Sequence, residues 1–225
     1  MKPLLIVGAL ALIVVGAVLY IAMPQQPPAL APETAETAQE VPEIAAATSP
    51  ADTWWDNLRA LCGNAYVGAV TSDDPADADL VEQPLTMHVR RCDDQRLEVP
   101  FHIGENRSRT WVLTRTDSGI QLQHDHRHED GSEDAVTLYG GHTVPSGTDT
   151  VPSGTDTAQH FPADEYSKQL FVDQGLEVSV TNVWTMELIP GDRFSYILRR
   201  PERHFQADFD LTQTVEPPPA PWGHE

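Results

Sequence analysis

The chain has 225 residues and a formal net charge of −20 at pH 7, with 14 Lys and Arg against 34 Asp and Glu. A charge of this sign excludes nucleic acid and anionic lipid surfaces as partners of the bulk of the chain, because phosphate binding needs the opposite one. The length suffices for one domain of roughly 150–170 residues plus extra segments.

Residues 1–23 are the first such segment. From Pro3 to Met23 the sequence carries no charge and is rich in Leu, Ile, Val, Ala and Gly. A bilayer core about 30 Å thick is crossed by about 20 apolar residues in a helix, so this run predicts a transmembrane anchor. Lys2 is the only basic residue before Arg59, which places the N-terminus in the cytoplasm and the rest outside. A cleaved signal peptide competes with this reading, but its apolar region usually spans about 7–15 residues. Tyr20 also stands where a cleavage site wants a small side chain, and no Cys lies nearby to carry a lipid. Residues 24–50 follow as a linker rich in Pro, Ala, Glu and Thr and free of aromatics. Such a segment buries too little apolar surface to order itself and serves as a semi-extended spacer.

The domain then spans residues 51–216. Trp54, Leu58 and Leu61 lie at helical spacing, so residues 53–61 predict a short helix capped by Thr53. The only cysteines, Cys62 and Cys92, predict one disulfide in an exported domain. It closes a loop worth about 3 kcal/mol on the chain-entropy model. From Ala65 onward the apolar pattern has period two. Residues 66–71, 85–91, 97–101 and 109–115 read as strands, with Leu85, Met87, Val89, Leu97, Val99 and Phe101 facing inward. The acidic loop 72–79 lacks the glycine and distant glutamate of an EF-hand and reads as solvated.

Residues 119–142, GIQLQHDHRHEDGSEDAVTLYGGH, concentrate the chemistry. On a strand, Ile120, Leu122, His124, His126 and His128 share one face, and Gln121, Gln123, Asp125, Arg127 and Glu129 the other. Asp130-Gly131-Ser132 is a turn, residues 135–139 form the return strand, and Gly140-Gly141 ends it. Residues 143–157 hold TVPSGTD twice in succession and read as an exposed loop lengthened by duplication. Residues 178–189, 193–199 and 205–211 supply further strands, with Phe194, Tyr196, Leu198, Phe205, Ala207, Phe209 and Leu211 inward. Residues 217–225, PPPAPWGHE, make a Pro-rich tail on which Trp222 can dock. Eight or nine short strands joined by turns predict an all-β antiparallel barrel, lipocalin-like because consecutive hairpins dominate. A β-sandwich or cupin-like jelly roll is the alternative.

His126, His128, Glu133 and Gly140 keep the spacing of the second half of the first cupin metal motif. That partial resemblance implies a divalent transition metal held by His126, His128 and Glu133, with His124 beside them. The sequence departs from the motif at Gly119, one residue too far from His126. It departs again after Pro152-Ser153-Gly154, where His160 lies too far on. Leu61-Cys62-Gly63, Ser108-Arg109-Thr110-Trp111, the run from His124 to Asp134, residues 137–141, Phe161-Pro162-Ala163-Asp164 and Pro221-Trp222-Gly223 carry a broader likeness. In these the chain resembles an uncharacterised family of bacterial secreted or membrane-anchored proteins. That likeness implies an inner-membrane protein with its domain in the periplasm or outside the cell, and it lends no activity.

Three functions therefore compete. The domain is a non-enzymatic module binding a small ligand or an envelope protein, a metal-dependent cupin-type enzyme, or a structural protein whose histidine and carboxylate groups only hold the hairpin. No nucleophile elbow, phosphate loop, dinucleotide fingerprint or His-Glu-x-x-His is present.

Overall fold

A computed structural model describes residues 48–143 and 154–224. The predicted transmembrane segment 1–23, nearly all of the linker and most of the duplicated loop lie outside the described residues. Among those described, no helix is long and apolar enough to cross a membrane.

Helix α1, Pro50–Arg59, begins three residues before its predicted start. Ser49, not Thr53, is the cap: its hydroxyl accepts from the Asp52 amide while the Asp52 carboxylate reaches back to the Ser49 amide. Pro50 at the first turn needs no donor there. The helix buries Trp54, Trp55 and Leu58. The Arg115 guanidinium lies over the Trp55 ring at 5.1 Å and pairs with Asp52 at 2.7 Å, tying α1 to the barrel. The Cys62–Cys92 disulfide is formed and joins the turn after α1 to the short strand β3, Arg91–Cys92.

The remaining strands are β1 (Ala65–Val70), β2 (Leu85–His88), β4 (Arg96–Ile103), β5 (Asn106–Thr116), β6 (Gly119–His126), β7 (Tyr139–His142), β8 (Ala158–Pro162), β9 (Val183–Ile189), β10 (Arg193–Arg200) and β11 (Arg203–Asp210). They are hydrogen-bonded antiparallel in the order β7-β6-β5-β4-β2-β1-β11-β10-β9-β8, with β3 beside β4. Apart from the β1–β11 pair, every neighbour in that order is the next strand along the path, so the chain winds as a meander. The two edges meet at the bridge Gly141↔Ala163 and at the Asp164 amide, which donates to the Gly140 carbonyl at 3.0 Å. The result is a nearly closed antiparallel barrel of ten strands, and the all-β prediction holds at that level.

Closure corrects the reading of Gly140-Gly141. These residues lie inside β7 rather than ending a strand. A β-carbon on Gly140 would collide with the Leu122 carbonyl, and one on Gly141 with the Pro162 carbonyl. They are glycines because the backbones on either side approach too closely for anything larger. Helix α2, Glu165–Asp173, packs over this seam. Its buried Ser167 hydroxyl accepts from the Gly140 amide at 2.7 Å and donates to the Gly140 carbonyl at 3.0 Å.

Two further expectations need correction. The long strand 178–189 is a 3-10 turn, Glu177–Thr181, followed by β9. The return strand of the histidine hairpin starts at Tyr139 rather than at residue 135, because side-chain bonds interrupt the ladder between the Asp134 amide on the His126 carbonyl and the Leu138 amide on the His124 carbonyl. The Thr137 hydroxyl takes the His126 amide, Asp134 takes the Val136 amide, and Leu138 adopts a left-handed φ of 57°.

The barrel interior is filled by aromatic rings. Phe101 stacks on Trp111 with centroids 4.9 Å apart, Trp111 on Tyr196 at 4.6 Å, and Phe209 meets both Phe101 and Trp111 edge-on. Such pairs contribute roughly 0.5–1.5 kcal/mol beyond the area they bury. On the outside, the C-terminal segment crosses the wall from β1 to β6. Val215 bridges Ala65, the Trp222 amide donates to the Arg107 carbonyl at 3.1 Å, and His224 reaches Asp125 at 2.9 Å.

Candidate functional site

Strand β6 sends alternate residues to opposite walls, and its register with β5 fixes which. His124 pairs with Trp111 and His126 with Arg109, whereas Asp125 pairs with Thr110. His124 and His126 therefore face the interior, continuing the apolar row of Ile120 and Leu122.

His124 is 3% exposed. Its Nδ1 lies 3.0 Å from the Tyr139 carbonyl oxygen, which can only accept, so Nδ1 carries the proton. Nε2 is left to accept from the Tyr196 hydroxyl at 2.7 Å. The ring stacks on Tyr139 at 4.7 Å and lies 5.0 Å from Trp184. Burial, with His126 adding to it, pushes the His124 pKa down to about 3 against the opposing pull of the Tyr139 carbonyl. Burial raises Tyr139 to about 12 and Tyr196 well above the usual phenol value. At neutral pH this cluster is uncharged throughout.

His126 sits nearer the rim, with Nε2 3.3 Å from the Tyr139 hydroxyl. Burial and then the Arg109 guanidinium lower its pKa to about 4, opposed by Asp134 and Asp125. Arg109 donates to Ser108 at 3.0 Å and Asn106 at 3.3 Å, and among the described residues it has no carboxylate partner. The structure thus brings His124 and His126 together, with ring centroids 6.5 Å apart.

It does not bring His128 and Glu133 to them. His128 lies beyond the end of β6, its side chain 58% exposed, with Nε2 3.9 Å from Asp134. Glu133 is 56% exposed and pairs with Arg127 at 3.3 Å. Arg127 belongs to the opposite face, where it also holds Asp125 at 3.1 Å. Among the described residues no group of three or more His, Cys, Asp or Glu is arranged to hold a metal ion.

Residues that spacing alone did not single out complete the network. Tyr196 comes from β10, on the far side of the barrel, and Arg109 from β5. His224 comes from the tail, 99 residues beyond its partner Asp125. The alternation that turned Phe194, Tyr196 and Leu198 inward was the available signal for Tyr196. Nothing in the spacing of residues indicated which strand it would face. Comparison with family models, with curated proteins and with solved structures finds no match to this chain.

Proposed function

We propose that the chain is a membrane-tethered bacterial envelope protein whose lipocalin-like barrel acts as a non-enzymatic structural or interaction module. The anchor reading of residues 1–23 and the spacer composition of residues 24–50 support the tether, and the Cys62–Cys92 bond fits an oxidising compartment. The observation that carries the non-enzymatic reading is His124. Both its ring nitrogens are engaged, by a backbone carbonyl and by a buried phenol. It sits in an interior where aromatic rings already stack, so the innermost histidine has no valence left for a metal or a substrate proton. The meander order favours the lipocalin-like barrel over a jelly roll, whose Greek-key connections would interleave the strands.

Elemental analysis of the untagged chain tests this, alongside the His126→Ala, His128→Ala double variant. The expected result is no stoichiometric transition metal in either protein. Near-stoichiometric metal in the parent, lost from a variant that still folds, would overturn the reading in favour of a metal centre. Protease added to spheroplasts tests the topology separately: the domain is expected to be digested without lysis.

A further inference from the structure

The outer wall buries residues that strand alternation would leave in water. Glu98 and His102 on β4 are 5% and 3% exposed, and Thr110 and Val112 on β5 are 3% and 1% exposed. The C-terminal segment crosses this wall. The pairings Ala65↔His88, Pro100↔Thr110 and Thr110↔Asp125 run across the strands. The segment enters this row at Ala65 through Val215 and leaves it at Asp125 through His224. Midway, Arg107 clamps it twice: its guanidinium donates to the Ala220 carbonyl at 2.8 Å, and its own carbonyl accepts from Trp222.

His102 lies two residues from Pro100 on the same face of β4, opposite Thr86 of β2. Its Nε2 is buried without a hydrogen-bond partner. The charges that act on it are cationic: Arg107 from β5 and, when protonated, His88 from β2. Around the row stand Arg90 and Arg91 between β2 and β4, Glu98 on its own strand, Asp125 on β6 and His224 on the tail. Both carboxylates are already committed, Glu98 to Arg96 and Arg91, and Asp125 to Arg127 and His224. Among the described residues, the charges that bear on an imidazolium at His102 are both cationic.

We propose that residues 215–224 form an acid-released latch, in which protonation of His102 beneath the segment expels it and bares the outer wall of β2, β4 and β5. The clamp and the repulsion coincide, because Arg107 both holds the segment and faces the ring. Burial, then Arg107, pushes the His102 pKa down to about 4, and burial also lowers His88. Once the segment lifts, the ring regains water and titrates near about 6.5. A histidine whose closed-state pKa is depressed leaves the closed state at full strength above about pH 6.5 and weakens it as pH falls toward about 4. The closed-to-open ratio drops on the order of 100-fold over that interval. The His224 contact with Asp125 at 2.9 Å holds the end of the segment to the wall. It retards release.

Fluorine NMR of the full chain labelled with 5-fluorotryptophan reads the latch directly. Trp222 is the one tryptophan on the segment, and its resonance is assigned by Trp222→Phe. Between about pH 7.5 and 4.5 that resonance is expected to move to a solvent-exposed position while Trp54, Trp55, Trp111 and Trp184 hold theirs. His102→Phe should abolish the transition, and His224→Gln should raise its midpoint. If the core resonances show that His102→Phe is misfolded, His102→Gln is read in its place. The proposal is overturned if Trp222 stays protected to about pH 4.5, if all five resonances move together, or if the His102 variant opens like the parent.

Discussion

The two faces of β6 carry similar residue types and use them in opposite ways. Inside, His124 and His126 are neutral and bonded to phenols and a carbonyl. Outside, Asp125 is a nearly buried carboxylate held between Arg127 and His224. One residue of offset separates a network without charge from one made of charges. The interior could accept the histidines only by depressing their pKa values, because an isolated buried cation costs far more than a hydrogen-bonded neutral ring. The outer wall could accept Asp125 because the Arg127 guanidinium and the His224 ring were within reach. A histidine run at spacing two is therefore no guide to metal chemistry until the walls it faces are known.

The inner face should fail hardest. His124→Ala leaves a cavity and strips the Tyr196 hydroxyl and Tyr139 carbonyl of their partner, an expected loss of about 3–5 kcal/mol in urea unfolding. The same site sets an acid limit. With its folded pKa near 3 and an unfolded value near 6.5, His124 contributes full stability above about pH 6.5 and loses it progressively as pH falls toward 3. A His124→Phe variant should show a flatter stability profile across that window, although it is less stable at pH 7. An unchanged slope would mean that His124 is solvated.

Asp125→Ala attacks the outer face and should cost less, about 1–3 kcal/mol, since Arg127 and His224 are each partly exposed and regain water. A stability equal to that of the parent would contradict both pairings.

The inward rows were legible because period two on a half-buried strand leaves a plain trace. Leu85, Met87, Leu97, Val99, Phe101, Phe194, Tyr196, Phe205, Ala207 and Phe209 are all buried as the alternation predicts. What stayed hidden lacked such a trace. Helix α2 buries only Ser167 and Phe171, too few positions to show a helical period. Gly140-Gly141 looks like a strand end because close backbone approach and turn geometry ask for the same residue. In the site, the partition of the histidines from their acidic neighbours was readable from alternation, but His128 and Glu133 required the end point of β6. The His224–Asp125 contact joins residues that no local pattern relates. The tail's composition announced an extended segment and gave no hint of which wall it would cross.

Glu133→Gln is the smallest change and the sharpest comparison of the two readings of this hairpin. Its carboxylate is half in water and pairs, among the described residues, only with Arg127, so its loss should cost at most about 0.5 kcal/mol in thermal unfolding, within the range of exposed ion pairs. Arg127 keeps Asp125 and the Gly131 carbonyl, which explains why so little is lost. A metal ligand would behave differently. Removing one of three protein donors from a bound divalent ion weakens binding severely, and a structural metal contributes directly to folding. A destabilisation of several kcal/mol, reproduced in the parent by a chelator, would therefore place Glu133 at a metal with His126 and His128. A near-silent substitution that a chelator cannot imitate leaves it as a solvated partner of Arg127.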